Sequence, residues 1–119
     1  MRTKAQLATS VLRNNRFIGA NEEPSAADGR FVEDAYDSKW AEWRRRGFVW
    51  WENTSRSVAE IPAEVFGTLS DLMVNEVQGS FTEPMDPVAK MEREEQLLRR
   101  LRRLNHKPPS GESTPFSAF

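Results

Sequence analysis

The sequence predicts an all-α fold: a small antiparallel bundle of about four helices, with one irregular aromatic insertion and an extended C-terminal tail. Apolar residues recur at helical spacing in four separate stretches. Capping residues stand before these stretches, and glycine or proline follows them. Proline, glycine and serine make up half of the final segment. We therefore expect a helical domain over residues 1–105 and a tail over residues 106–119.

The composition is typical of one soluble domain. The 119 residues are 38% hydrophobic and 29% charged, and a chain of this length can bury a modest core. The formal net charge of -1 creates no overall field that would attract nucleic acid or a membrane. Residues 1–15 lack the apolar run of a signal peptide, and no stretch approaches the length of a membrane span. We expect the chain in the cytoplasm when it is made, with no membrane partner.

The sequence lacks the residue sets that catalysis or metal binding would use. There is no cysteine and only one histidine, which excludes disulfides, thiolate metal sites and histidine clusters. No nucleophile and base are paired, and no glycine-rich loop is built to hold a phosphate. The carboxylates of Glu33, Asp34 and Asp37 are expected on the solvent side of the second helix. We expect no enzyme, no catalytic residue, no cofactor and no metal.

The first helix is predicted over residues 4–15. Thr3 and Gln6 form a capping box, in which each side chain satisfies a free backbone N–H group at the helix start. Phe17 and Ile18 follow as an apolar pair, and a turn-forming loop runs from Gly19 to Pro24. The apolar stripe consists of Ala5, Ala8, Val11 and Leu12, with Leu7 beside it.

The second helix is predicted to be the centre of the core. The stretch from Pro24 to Trp51 holds all four tryptophans and the only tyrosine, and large rings bury the most area per residue. Ser25 can cap the helix, and Gly47 can end it in the left-handed conformation. The apolar face is Val32, Ala35, Tyr36, Trp40 and Trp43.

An aromatic segment follows Gly47, over residues 48–51. Its length does not decide between a strand and an extended segment packed on the core. If it is extended, Trp50 and Trp51 point to opposite sides, and one of them is a candidate for a contact between subunits. Residues 52–60 are expected to be polar and irregular.

The third helix is predicted to begin at Ile61-Pro62 and to end near Gly79 and Ser80. Its apolar residues recur with helical spacing, which makes it amphipathic. Phe66, Leu69, Leu72 and Met73 are expected in the core, and Val65 and Val77 belong to the same stripe.

The fourth helix is predicted from Asp86-Pro87 to about Asn105. Glu94 and Glu95 interrupt its apolar stripe, so it should be less buried than the others. Its acidic residues come early and its basic residues late, which suits the helix dipole. The stripe is Val88, Met91, Leu98, Leu101 and Leu104, with Leu97 alongside.

Two basic clusters and the tail are the candidate interaction sites. Arg44, Arg45 and Arg46 either neutralise the end of the second helix or contact an acidic surface or phosphates, and they are candidates for a contact between subunits. The same alternatives apply to Arg99, Arg100, Arg102 and Arg103. The tail either becomes ordered against a partner or is a frayed terminus with incidental phenylalanines. Its candidate residues are His106, Lys107, Pro108, Pro109, Phe116 and Phe119.

The order of segments resembles a known family of virion proteins. The motifs are LATSVLR (residues 7–13), FIGANEEPSAAD (17–28), FVEDAYDSKWAEWRRRGFVWW (31–51) and IPAEVFGTLSDLM (61–73). This sequence resembles the head-to-tail connector proteins, also called adaptor or head-completion proteins, of tailed bacteriophages and gene transfer agents. The resemblance covers about residues 7–77, and the polar spacer over residues 53–60 departs from the family pattern.

The resemblance implies a subunit of a ring, usually a dodecamer, beneath the portal protein at the head-tail junction. Such a ring extends the DNA channel, helps to retain packaged DNA without sequence specificity, and docks a downstream tail or stopper protein. The tail residues would grip the portal, and Arg99 to Arg103 would face either the portal or the channel. The alternative is a small phage-encoded regulator that binds DNA or a host protein, although no helix-turn-helix spacing is present.

Overall fold

The computed structural model describes residues 1–14, 24–83 and 85–105. These residues form a small bundle of four α-helices with two very short strands, which confirms the predicted all-α class. In chain order the elements are β1 (Arg2–Thr3), α1 (Lys4–Asn14), α2 (Ala26–Arg45), β2 (Ala59–Ile61), α3 (Ala63–Phe81) and α4 (Pro87–Asn105).

The predicted helix starts are confirmed by their capping hydrogen bonds. The amide of Gln6 donates to Thr3 Oγ1 at 3.0 Å, and the amide of Thr3 donates to Gln6 Oε1 at 2.8 Å. Ser25 Oγ accepts the N–H group three residues further on at 3.1 Å. Asp86 caps α4 in the same way at 3.1 Å. Each cap satisfies a backbone donor that has no partner inside its own helix.

A small sheet forms where the sequence predicted irregular structure. β1 pairs antiparallel with β2, and Arg2 lies opposite Ile61. The amide of Ala5 also donates to the carbonyl of Arg56 at 3.2 Å. Strands of two and three residues carry no readable alternation, so the pairing could not be predicted from local pattern. The sheet ties the segment between α2 and α3 to the start of α1.

The third helix is longer than predicted. It passes through Gly79 and Ser80 and ends at Phe81, and Pro62 stands at its cap rather than at its first helical position. The ring of Phe81 packs edge-on against Phe31 of α2, with centroids 5.7 Å apart. This tertiary contact favours the extra half-turn despite the weak helix propensity of glycine and serine.

The core lies between α1, α2, α3 and the C-terminal half of α4. Two predicted core residues are only partly buried, at the edge of the core, where an arginine side chain covers each ring. Arg44 lies over Trp40 at 5.2 Å, and Arg2 lies over Phe66 at 4.2 Å. The other six are at most 1% exposed: Val32, Tyr36, Trp43, Leu69, Leu72 and Met73.

Trp50 and Trp51 do not lie on opposite sides, as was predicted for an extended segment, because their rings meet edge to face with centroids 4.9 Å apart. Trp50 is 38% exposed, whereas Trp51 is 4% exposed and donates its indole N–H to the hydroxyl of Tyr36 at 2.9 Å. Trp50 is therefore the one of the two intersubunit candidates that the fold leaves accessible, and its contact with a neighbour stays a prediction. Burial raises the pKa of the Tyr36 hydroxyl, because a phenolate would lose its hydration; the Trp51 hydrogen bond opposes this effect only in part.

One of the three acidic residues of α2 that the sequence predicted on the solvent side is buried. Glu33 is 8% exposed and accepts two hydrogen bonds of 3.0 Å from Arg56. Asp37 accepts hydrogen bonds from Lys4 at 2.8 Å and from Asn53 at 2.9 Å. These carboxylates bind the segment between α2 and α3 and the start of α1 to α2, so their role is structural. Asp34 is exposed, as predicted, and the Asp37 side chain is still 46% exposed, so Glu33 is the residue that departs from the prediction.

The hydrogen bond between Trp51 and Tyr36 should stabilise the fold measurably. Trp51→Phe removes the donor and part of the ring, and we expect a loss of about 2 kcal/mol or more in unfolding free energy. Trp50→Phe, the matched control on the exposed side, should change it by less than about 0.5 kcal/mol. Urea denaturation followed by circular dichroism measures both.

A double-mutant cycle with Tyr36→Phe separates the hydrogen bond from ring packing. We expect a coupling free energy of about 1 kcal/mol between the two positions. A coupling indistinguishable from zero would show that ring volume alone accounts for the effect of Trp51→Phe.

Candidate functional site

A cluster of charged side chains positions α4 on the bundle. Lys39 of α2 contacts Glu94 of α4 at 2.8 Å, Glu42 at 3.3 Å and Glu76 of α3 at 3.8 Å. Its side chain is 16% exposed, so these contacts are partly shielded from water. One cation therefore links three helices, and it does so beside the part of α4 that is least buried.

The ionisation of Lys39 reflects two opposing effects. Partial burial lowers its pKa, but the hydrogen bonds and charges of Glu94, Glu76 and Glu42 outweigh burial and raise the pKa above its ordinary value. Since the folded pKa is raised, the stabilisation by these contacts is fully present at neutral pH. It is lost as the pH rises through the raised pKa of Lys39.

The outward surface of α4 changes character along its length. Residues three and four apart on a helix share a face, and α4 extends for roughly 28 Å. Val88 and Met91 come first on the outward face and are 62% and 63% exposed. Two acidic and then three basic positions follow. We call this row the outer face of α4, and it consists of Val88, Met91, Glu92, Glu95, Arg99, Arg102 and Arg103.

The structure brings the two predicted basic clusters together at Phe48. Gly47 has a φ of 81°, and the amides of Gly47 and Phe48 donate to the carbonyls of Arg44 and Trp43 at 3.1 and 2.9 Å. This is the Schellman ending of a helix, and it turns the chain so that Phe48 packs against the bundle.

Both helices then contribute a guanidinium group to the same ring. The Arg46 guanidinium carbon lies 5.0 Å from the centroid of Phe48, and that of Arg102 lies 4.4 Å from it. Arg46 also donates to Glu95 of α4 at 3.0 Å. The two helix ends that carry the predicted basic groups therefore meet at Phe48. We call their arginines the arginine cluster: Arg44, Arg45, Arg46, Arg99, Arg100, Arg102 and Arg103.

Members of the arginine cluster differ in how they are used within the subunit. Arg44 contacts the carbonyl of Trp51 at 3.3 Å and Glu52 at 3.7 Å, and Arg46 contacts Glu42 and Glu95. Arg45, Arg99, Arg100 and Arg103 make no ion pair, hydrogen bond or ring contact with the part of the chain that the structure describes. Seven arginines face only three contacting carboxylates, which leaves the surface net positive.

This distribution separates the intersubunit candidates that the sequence grouped together. Arg44 and Arg46 hold the end of α2 against its own subunit, whereas Arg45 and Trp50 are exposed and free to contact another molecule. The convergence on Phe48 was not predictable from sequence spacing, because Arg46 and Arg102 are far apart in the chain. The tail candidates, residues 106–119, lie outside the described residues, as do Phe17 and Ile18.

Residues 1–14, 24–83 and 85–105 contain no group of three or more histidine or acidic side chains arranged to hold a metal ion. None of the described helices is both long and apolar enough to cross a membrane. The chain matches no protein-family description, and comparisons with curated proteins and with solved structures found no match.

Replacing Lys39 should destabilise the fold. Lys39→Met leaves Glu94 without a cation, whereas Glu42 keeps Arg46 at 3.4 Å and Glu76 keeps Lys90 at 3.9 Å. We expect a loss of about 2 kcal/mol, between the values typical of exposed and of buried pairs. Lys90→Met is the matched control, since Lys90 is more exposed and lies 3.9 Å from Glu76. It should cost less than about 0.5 kcal/mol by urea denaturation.

The effect of Lys39→Met should depend on pH in one direction. The difference in stability from wild type should be constant near neutral pH. It should shrink as the pH rises above 10.5, the ordinary lysine value, and through the raised pKa of Lys39. A difference that stays unchanged in alkaline solution would contradict the electrostatic origin of the stabilisation.

Proposed function

We propose that this chain is a structural subunit of a ring at the head-tail junction of a tailed bacteriophage or gene transfer agent. The ring would sit beneath the portal, extend the DNA channel, help to retain packaged DNA and offer a docking surface to a tail or stopper protein. The observation that carries the proposal is the outer face of α4, which is exposed, partly apolar and divided by charge.

The outer face of α4 is suited to contact between copies. Val88 and Met91 are exposed apolar side chains that lie next to each other on one helix face, and covering them removes apolar area from water. Glu92 and Glu95 follow on the same face, so that a neighbouring copy can offer basic side chains to them. A contact between two different surfaces of identical subunits closes into a ring when its rotation allows.

The small size of the core adds to this argument. Net stabilities of single domains amount to only about 5–15 kcal/mol, and association stabilises a subunit further by mass action. The resemblance stated from the sequence supports the same conclusion, since its segments correspond to α1, α2 and the first part of α3. It also assigns the docking on the portal to residues 106–119.

A regulator that binds DNA or a host protein is the second candidate function. The arginine cluster is the observation that favours it. Against a helix-turn-helix, α1 and α2 are separated by residues 15–25, and the inward face of α2 is aromatic. Negative-stain microscopy of the protein mixed with its portal protein distinguishes the two functions, because only the adaptor is expected to form rings.

Substitutions on the apolar part of α4 should prevent ring formation. Val88→Glu combined with Met91→Glu places charges where a neighbour must pack, so we expect isolated subunits instead of rings on the portal. The fold should be unaffected by circular dichroism, because both positions are exposed. Ser38→Glu, at an exposed position of α2, is the control and should assemble normally. Normal rings from the α4 variant would rule out this interface.

Removal of the tail should uncouple folding from docking. A chain that ends at Asn105 retains every described element, so its helix content and unfolding transition should match those of the full chain. We expect it not to join particles that contain the portal, as measured by co-sedimentation. Undiminished joining would exclude residues 106–119 from portal binding.

A further inference from the structure

We infer that the arginine cluster binds the phosphate backbone of double-stranded DNA without reading its sequence. The inference rests on the proposed function, which places the subunit at the DNA channel. It deepens that function by assigning the arginine cluster to DNA instead of to the portal. The binding itself can be measured on the purified chain before any assembly. Four observations carry it: the choice of residue, the extent of the cluster, its organisation around Phe48 and the covering of the rings beneath it.

The arginine cluster contains no lysine. The described lysines are all used within the subunit: Lys4 pairs with Asp37, and Lys39 and Lys90 pair with glutamates. Every basic residue of the cluster is an arginine. The planar guanidinium group donates two parallel hydrogen bonds to a phosphate and is weakly hydrated, so arginine suits phosphate contacts better than lysine does.

The extent of the cluster exceeds what the helix dipole requires. Cations near a helix C-terminus are favourable, but the effect falls off within the last turn. Arg102 and Arg103 lie in the last turn of α4, whereas Arg99 and Arg100 lie one turn earlier. Neutralisation of the helix end therefore does not account for Arg99 and Arg100, which make no ion pair, hydrogen bond or ring contact with the described part of the chain.

The geometry of Phe48 organises the cluster before any ligand binds. Phe48 is 6% exposed, and it holds Arg46 of α2 and Arg102 of α4 against one ring. Such stacking reduces the side-chain freedom that a ligand would otherwise have to restrict. The spacing between the two helices' guanidinium groups is thereby set by the fold.

The arginine cluster offers charge over rings that are already covered. Protein interfaces are commonly centred on aromatic or aliphatic side chains that become buried on binding. Here Phe48 is already covered, and Trp40 lies beneath Arg44. The exposed apolar residues of α4, Val88 and Met91, lie at its other end. We therefore assign the apolar end to protein and the arginine end to a polyanion, whose phosphates the cluster contacts by charge alone.

The test is fluorescence anisotropy with two labelled DNA duplexes of unrelated sequence, titrated with the full-length chain beyond the range of about 10⁻⁴ to 10⁻⁶ M that is typical of non-specific binding. We expect equal affinity for both duplexes and a linear fall of log affinity with log salt concentration. Arg99→Gln with Arg103→Gln should weaken binding to both duplexes equally and reduce the salt slope by about 2.

Two further variants separate phosphate binding from general charge. Arg30→Gln with Arg93→Gln removes the same number of charges from exposed positions outside the cluster, and it should leave affinity and slope almost unchanged. Arg99→Lys with Arg103→Lys keeps the charge but loses the two-pronged donors, so we expect an intermediate loss. All variants should retain wild-type circular dichroism.

Several outcomes would overturn the inference. The first is that the wild type gives no anisotropy change up to that concentration. The second is that the cluster and control variants lose DNA affinity equally, and the third is a strong preference for one duplex. A fourth is normal DNA binding by the cluster variant together with lost capture of the portal, which would assign the arginines to an acidic protein surface. Ring formation is scored separately by microscopy, so DNA binding without rings would overturn the proposed function and leave the phosphate site standing.

Discussion

Burial of the aromatic face of α2 is the constraint on which the rest of the structure depends. Tyr36 and Trp43 are almost fully buried, and Trp51 returns from the following segment to join them. A large ring removes much apolar area from water, but its polar edge needs a partner. The indole of Trp51 finds one in the hydroxyl of Tyr36, so the position of the segment after Gly47 is set by α2 itself. The other helices pack around this centre.

The charged residues around α2 divide between structural pairs and free groups. Glu33 is held by Arg56, Asp37 by Lys4, and Glu94 by Lys39. Each of these pairs joins α2 to a different part of the chain: the segment before β2, the start of α1, and α4. Their common consequence is that many carboxylates are already neutralised inside the subunit. The unpaired arginines of α4 therefore dominate the surface near the end of α2.

The two ends of α4 differ in their contacts with the bundle. Leu97, Leu98 and Leu101 are fully buried, whereas Val88 and Met91 at the other end are exposed. Two contacts still hold the exposed half of α4 against the bundle. Glu94 pairs with Lys39 of α2, and the side-chain amide of Asn75 in α3 donates to the carbonyl of Lys90 at 3.0 Å. A helix that is anchored yet partly uncovered presents a rigid surface. This is the property that ties the proposed assembly and the proposed DNA contact to one element.

The sequence by itself determined the helices, their caps and most of the core. Thr3 with Gln6, Ser25, Gly47 and Asp86 act on backbone groups within a few residues, so their effects can be read locally. The helical period likewise identified Tyr36, Trp43 and the buried residues of α3. In the candidate site, the sequence identified both groups of arginines but not the contact of Arg46 and Arg102 with the ring of Phe48.

Only the tertiary structure decided which of two adjacent tryptophans is buried, that Glu33 is paired, and that β1 meets β2. It also joined Arg46 and Arg102 at Phe48. In each case the partners are distant in the chain, and local period and propensity carry no information about their distance in space. The packing of the helices brings them together, so these contacts follow from the fold as a whole.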